Sequence, residues 1–510
     1  MSRCANVADY LLEGKPPEAT ALRTPDGDHT YGELSRAAAQ VATGLRCVEP
    51  PGSRVLLIGE NSPFWVSAYL GIMKAGLVCV PLPTGISSED LRWIVGLTGA
   101  RRAFVQSRFA VTRARELAGL AVIPDNPRAG QLPTDPDAAL HATAARPQDN
   151  GAPADQLAAV MFTSGSTGRP RGVMLSHSNI IANTGSIIDY LGLTANDRMM
   201  TVLPFHYCFG TSLLHTHLRV GASLVLDSRF PYPEAILQRM AETECTGFAG
   251  VPSHFQILLR RSSLKKRSFP HLRYVQQAGG HLAPVFIREL REALPHTQVF
   301  IMYGQTEGTA RLSFLPPQFL DSKIGSIGKG IPGVTLRVLN NASGPVAPGE
   351  IGEIVARGAN VPRGYWKDPE ESAKCFRDGN LYTGDLATVD EDGFIYVVDR
   401  GRNFLKCGGV RVSSRQVEDR LLECEWLLEA AVVGVPDDLL GEAVKAFVVP
   451  RESACNGPCQ WTDCRGAKDR LLRFCRERMP AKLVPKEIVL LPVLPKNSAG
   501  KVVKADLKAQ

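Results

Sequence analysis

The sequence predicts an α/β fold in two parts: a large N-terminal domain of sheets flanked by helices, then a small α+β domain. Three observations carry that prediction. Apolar strand-like runs alternate with helical patterns, as at 54–59, 64–76 and 77–81. Strand signals crowd together from 333 to 398, with turns at Asn341-Ala-Ser-Gly344 and Asp392-Gly393. A chain of 510 residues can also bury more than one core. The boundary is expected at the Asp399-Arg-Gly-Arg402 turn, which gives domains 1–400 and 401–510.

Taken in order, the first ten residues lack the apolar core of a signal peptide, and no stretch is long enough to span a membrane. Residues 124–156, rich in Pro, Ala, Asp and Gly, read as a surface excursion. An apolar run at 157–162 then reads as a buried strand. It breaks into Met161-Phe-Thr-Ser-Gly-Ser-Thr-Gly-Arg-Pro-Arg-Gly172, with three glycines and four hydroxyl residues. Backbone N–H groups and hydroxyls exposed beyond a strand end form a cradle for a polyphosphate, and Arg171 adds positive charge. A helix is expected next, capped by Ser178, with Ile180, Ile181, Ile187, Ile188 and Leu191 at helical spacing. The loop is not a Walker A motif, because only two residues separate Gly165 from Gly168 and no Gly-Lys pair follows.

Composition bounds the function. Charged residues make up 21% and hydrophobic residues 44%, as in an ordinary globular protein. A net charge of +7 suits ATP, CoA or an acidic carrier protein and is no nucleic-acid signature. Twelve cysteines without a secretory signal point to reduced thiols in a cytoplasm. His206, Cys208, His215 and His217 fit no common zinc spacing and read as pocket or core fillers. Cys455, Cys459 and Cys464, in an insertion spanning 452–468, read as reduced thiols.

The phosphate-loop pattern resembles that of the AMP-forming adenylating enzymes. That superfamily includes acyl-CoA synthetases, the adenylation domains of nonribosomal peptide synthetases, and beetle luciferases. The resemblance covers nearly the whole chain. Thr30-Tyr-Gly-Glu-Leu34 and residues 52–83 are similar to the blocks before the loop. Tyr303-Gly-Gln-Thr-Glu307, Tyr382-Thr-Gly-Asp-Leu386, Asp399-Arg400, Lys406-Cys-Gly-Gly409 and Pro495-Lys-Asn-Ser-Ala-Gly-Lys501 match those after it. The resemblance implies a distorted β-barrel within the large domain and a mobile C-terminal domain.

By this resemblance the nucleotide is held by Thr163, Ser164, Gly165, Ser166, Thr167, Gly168 and Arg171, and by Gly279, Gly280, Tyr303 and Gly304. Asp385 and Arg400 form the ribose pair. Thr306 donates to the α-phosphate, and Glu307 is the Mg²⁺ ligand, since that ion keeps several waters and few protein ligands. Lys501 bridges carboxylate and phosphate during adenylation; losing one such charge costs about 10²–10³ in rate. Lys406, Gly408 and Gly409 serve the second half-reaction, where small residues let a pantetheine arm pass. Arg402 stands at the hinge, where the family usually carries Asp or Lys, and Arg171 replaces a commoner Lys.

The implied chemistry is activation of a carboxylic acid by ATP, then transfer of the acyl group to a thiol. Tyr207 best matches the aromatic gate of the acyl pocket, with His206 the other candidate, and Gly210 and His254 complete it. Residues 204–220 contain no acid to hold an ammonium, so an apolar or aromatic acid is expected over an α-amino acid. The acceptor is CoA or the phosphopantetheine of a separate acyl carrier protein; no carrier site follows Lys501. A luciferase-like oxygenase and a non-catalytic AMP-binding protein are the remaining classes. A monomer or homodimer is expected.

Overall fold

The computed structural model describes residues 6–125, 155–163, 169–400, 404–407, 410–437, 441–451, 465–497 and 500–508. Among them, two sheets dominate the first part. A six-stranded sheet runs in the order Ala121–Pro124, Arg102–Val105, Arg54–Ile58, Val78–Leu82, Leu157–Thr163, Arg171–Ser176, parallel except for its last pair. A nine-stranded sheet has a parallel centre of Gln298–Tyr303, Tyr274–Gln277, Gly247–Gly250, Arg198–Thr201, Ser223–Leu226 and Thr20–Thr24. Parallel strands need both faces covered, so apolar residues dominate them. Val55, Leu56, Leu57 and Ile58 are all buried.

Helices between the strands supply the cover. Pro63–Lys74 starts with Ser62 accepting from the amide of Trp65 (3.2 Å) and with Pro at its first turn, both standard start signals. Ten of its twelve residues are buried, because it is sandwiched against Tyr31–Val48 and the six-stranded sheet. Trp65 and Tyr69 stack at 5.0 Å, and Phe205 meets Trp65 at 5.3 Å, joining this helix to the core that underlies the nine-stranded sheet.

The segment after the phosphate loop departs from expectation. The loop joins two antiparallel strands, Leu157–Thr163 and Arg171–Ser176, with Thr163 and Arg171 as register partners. The helix His177–Leu191 follows the second strand and is capped by Ser176, not Ser178. Ser176 Oγ accepts from the Asn179 amide (3.1 Å), and Asn179 Oδ1 accepts from the Ser176 amide (3.0 Å). This reciprocal pair fixes the start two residues earlier than a lone serine would.

The strands Val334–Leu339, Gly352–Gly358, Phe376–Arg377, Asn380–Val389 and Ile395–Arg400 form an antiparallel half-barrel, as the crowded strand signals imply. From Phe404 onward the strands belong to a different five-stranded sheet with its own core around Val417, Val432 and Leu471. Polar contacts join it to the rest. Arg260, 8% exposed, donates to the carbonyls of Leu427 and Leu422, and His281 Nε2 lies 2.8 Å from Asp419.

Candidate functional site

The strands Gly247–Gly250, Tyr274–Gln277 and Gln298–Tyr303 run parallel and end at one edge. The segments that leave them line a cavity of about 500 Å³: Pro252 and Ser253, Gly279 and Gly280, Tyr303 and Gly304. Asp385 closes it from the half-barrel, and Lys501 enters from the C-terminal part. Ligands of open α/β sheets bind at such a place, beyond the carboxyl ends of parallel strands.

At the half-barrel end of the cavity, Tyr303 donates its phenol to Asp385 Oδ2 at 2.6 Å, and Asp385 is buried. The Asp385 amide donates to Thr383 Oγ1 at 3.2 Å, holding the turn, and Arg400 is its backbone partner on the neighbouring strand. A Cβ on Gly304 would sit 2.0 Å from the Ala310 carbonyl, so the chain can pass here only without a side chain. Thr306, also buried, donates to Cys208 Sγ at 3.4 Å. Burial pushes that thiol up, so it stays neutral. Glu307 Oε1 accepts from Tyr365 at 3.0 Å. Arg171 lies 5.8 Å from the centre of the same tyrosine ring and is steadied by Glu371 (2.9 Å) and Asp368 (3.4 Å).

At the other end, Lys501 Nζ stands 5.3 Å from the centre of the Tyr207 ring. The Gly500–Lys501 peptide is held on both sides: Lys501 N donates to Asn497 Oδ1 (3.0 Å), and Ser253 Oγ donates to the Gly500 carbonyl (3.2 Å). Gly279 lies between these groups in the left-handed region, φ +84°. A Cβ there would meet Val251 Cγ1 at 2.9 Å, Tyr207 Oη at 3.0 Å and Lys501 Cε at 3.5 Å. Gly210, at the start of the helix Cys208–Val220, is buried; its Cβ would reach 2.1 Å from the Pro204 carbonyl. Its missing side chain therefore lets the pocket helix close on its own approach loop.

Burial keeps the two pocket histidines neutral at pH 7. Burial pushes His206 down to about 4 and His254 to about 3. The His254 ring packs 4.1 Å from that of Phe230, and its Nδ1 faces the Val251 amide at 3.4 Å. His215 meets Tyr69 Oη at 2.9 Å, and His217 meets Tyr274 Oη at 3.1 Å, so both are occupied in the core. No group of three His, Cys, Asp or Glu among the described residues could hold a metal.

The structure thus brings together Gly279, Gly280, Tyr303, Gly304, Thr306, Glu307, Asp385, Arg171, Tyr207 and Lys501. Ser164 to Gly168, Gly408, Gly409 and Arg402 lie outside the described residues, as do Cys455, Cys459 and Cys464. Arg400 and Lys406 are placed on their strands, with side chains outside the description. Three polar residues escaped the sequence reading: Tyr365, Arg311 and Gln276. Arg311 carried a legible signal, an arginine four residues past Glu307 in an otherwise small, neutral turn.

Comparison with known proteins agrees with this geometry. The family model described as AMP-binding enzyme matches residues 12–366, and that of the AMP-binding enzyme C-terminal domain matches 416–501. Feruloyl-CoA synthase of an Amycolatopsis species is 34% identical, over 96% of this chain and 96% of its own. Indoleacetate–CoA ligase of Aromatoleum aromaticum is 29% identical, over 97% and 96%. The crystal structure of the anthranilate CoA ligase AuaEII in complex with anthranoyl-AMP superposes with a TM-score of 0.88 at 25% identity, covering 100% of this chain and 98% of that one. With both halves matched in order and the cavity in the expected place, the chain belongs to the AMP-binding enzyme family, among its AMP-forming ligases of the acyl-CoA synthetase type.

Proposed function

We propose that this enzyme activates an acid with an apolar or aromatic body as its acyl-adenylate and passes the acyl group to the thiol of CoA. The observation that carries the reading is the meeting of Lys501, Tyr207 and Gly279 beside Tyr303 and Asp385, which puts a cation between an acyl-side wall and a ribose-side wall. Both reactants are anionic, so bringing them together is mainly a matter of charge neutralisation and alignment. Lys501 does this at the junction of carboxylate and α-phosphate, Thr306 donates to that phosphate, and Arg171 faces the outer phosphates. Asp385 with Arg400 receives the ribose hydroxyls, and the loop 163–168 wraps the leaving pyrophosphate.

The Glu307 carboxylate, held in place by Tyr365, is the oxygen donor that suits a Mg²⁺ ion sharing its shell with phosphate oxygens and water. Bound there, the ion would neutralise phosphate charge. Residues 401–510 act as a unit that turns about the 400–402 segment once the adenylate exists. The turn withdraws Lys501 and presents Lys406, Gly408 and Gly409 to the incoming thiol. Relatives named as CoA ligases favour CoA over a carrier protein as acceptor. Among the described residues no helix is long and apolar enough to cross a membrane.

The test is acid-dependent release of pyrophosphate from Mg·ATP across fatty, aryl and amino acids, with and without CoA. The expected result is release with apolar or aromatic acids, AMP turnover stimulated by CoA, and an acyl-CoA product by mass. Release that a phosphopantetheinylated carrier stimulates but CoA does not would refute the acceptor. No release with any acid would refute the activity.

A further inference from the structure

His281 follows directly on Gly279 and Gly280, and all three line the cavity. The loop is tied back to its strand, with Gln277 Nε2 donating to the Gly280 carbonyl at 2.9 Å. From there the imidazole reaches the helix Ser414–Leu422 of the C-terminal part. Its Nε2 lies 2.8 and 2.9 Å from the two oxygens of Asp419, and its Nδ1 meets the Arg415 guanidinium. A guanidinium can only donate, so Nδ1 accepts, the ring proton sits on Nε2, and Asp419 receives it. The contact is thus built around a neutral imidazole with both nitrogens engaged. Burial, then the Arg415 charge, push its pKa below the usual histidine value against the pull of Asp419.

The helix that meets His281 also holds the tail bearing Lys501. Lys504 Nζ lies 2.7 Å from Glu418 Oε1 and 2.7 Å from Ser414 Oγ, so the helix residues next to Asp419 and Arg415 grip the chain just past Lys501. The start of the helix is tied to the half-barrel as well: Ser414 Oγ donates to Asp399 Oδ2 at 3.0 Å, and Arg415 donates to the Val397 carbonyl. Lys501 itself comes back to the loop, since a Cβ on Gly279 would stand 3.5 Å from its Cε. The path from Gly279 through His281, Asp419, Glu418 and Lys504 to Lys501 therefore closes on itself around the cavity. A reacting group is held to a fraction of an ångström only when the residues that support it are held too.

We propose that His281 is a positioning residue for the first half-reaction: by bridging the nucleotide loop to Asp419 and Arg415, it holds the C-terminal part in the orientation that places Lys501. This rests on the two-step reading above and names a contact that biases the turn between its steps. His281 acts through the helix and takes no part in the chemistry. Each half-reaction runs from its own orientation, so the ratio of their rates follows the equilibrium between the two. A contact made in one orientation only moves that ratio. A hydrogen bond to a charged group is worth about 10-fold or more in such an equilibrium. A loss of fold stability would instead lower both half-reactions together.

The test measures, in the same preparations, ATP–pyrophosphate exchange with the most active acid and thioester formation from its supplied adenylate and CoA. In His281→Ala the ratio of the first rate to the second should fall about 10-fold, and Asp419→Ala should lower it similarly. The double variant should be no worse than the more impaired single one. His281→Gln, whose amide can donate to Asp419 and accept from Arg415, should restore most of the ratio. Amine acylation read by mass spectrometry needs no turnover. Lys501 should label about 10-fold faster in His281→Ala than in wild type, while Lys504, gripped within the C-terminal part, labels unchanged. An unchanged ratio in His281→Ala, or Lys501 labelling as in wild type, would overturn the proposal. So would a His281→Gln no better than His281→Ala. If His281→Ala does not fold, Asp419→Ala decides by the same ratio and labelling. If no acid drives exchange, the activity reading fails, and the labelling of Lys501 decides this inference separately.

Discussion

Replacing Gly279 by alanine should damage adenylation far more than folding. The residue sits at φ +84°, where a side chain costs about 1–2 kcal/mol. The added methyl would also stand 2.9 Å from Val251 Cγ1, a distance that real Cβ atoms essentially never show, 3.0 Å from Tyr207 Oη, a tight contact, and 3.5 Å from Lys501 Cε. The strand behind Val251 is packed into the sheet, so Tyr207 must yield, moving by roughly 0.5–1 Å to regain ordinary contact and carrying Lys501 with it. A misplacement of about 1 Å at the reacting groups costs on the order of 10²-fold in rate. Gly279→Ala is therefore expected to lower ATP–pyrophosphate exchange about 100-fold while its melting temperature falls by only a few degrees. Thioester formation from supplied acyl-adenylate and CoA should fall much less, because that step does not use Lys501. Gly280→Ala, whose Cβ would meet only the edge of the Pro252 ring at 3.2 Å, should cost less than Gly279→Ala in the same assay. Exchange by Gly279→Ala within threefold of wild type would show that the Tyr207–Lys501 contact does not set the rate, and the reasoning would fall.

Two further outcomes are expected. Lys501→Ala should lose about 10²–10³ in adenylate formation yet spare thioester formation from supplied adenylate, with Lys406→Ala showing the reverse; full exchange by Lys501→Ala would refute the assignment. Acid should unfold the protein through its buried histidines. The unfolded imidazole titrates near 6.5, and burial holds His215 at about 3 and His217 at about 4, so the unfolded state binds more protons between those values. Stability is therefore full above pH 6.5 and falls as pH drops through that window, by on the order of 3–5 kcal/mol for His215 alone. Urea titrations at pH 7, 6, 5 and 4 would read this as a falling midpoint, and His215→Gln should flatten the slope; a midpoint independent of pH would contradict it.

The legible parts of the fold were those set by short-range pattern. Alternating strands and helices at 54–82 were readable because full burial makes each strand a continuous apolar run. The strand-rich half-barrel was readable from its turns. The extra strand Arg171–Ser176 was hidden, because Gly172 and Met174 break its alternation and the loop's chemistry drew attention to the helix beyond. Ser178 looked like a cap in one dimension; Ser176 is the cap because Asn179 answers it. In the site, motif residues such as Tyr303, Glu307 and Asp385 could be named from the sequence, yet the Tyr303–Asp385 and Tyr365–Glu307 bonds join residues 82 and 58 apart. Nor does composition show that both polar atoms of Gln276 are buried without a partner among the described residues, since that depends on which helix lies across the sheet.

The joint between the two parts has its own consequence. Arg260 grips two carbonyls across it, and Arg415 and Asp419 hold His281 from the other side. Oily surfaces resist being parted because water must flood in all at once, whereas hydrogen-bonded charges can exchange one partner for a water molecule at a time. The seam is mixed: these hydrogen bonds sit beside Leu422, which is buried in the core around Phe286 and Leu290 of the first part. If the second part turns as proposed above, it must strip Leu422 from that core as well as trade these hydrogen bonds for water, so the seam itself sets a barrier to the turn.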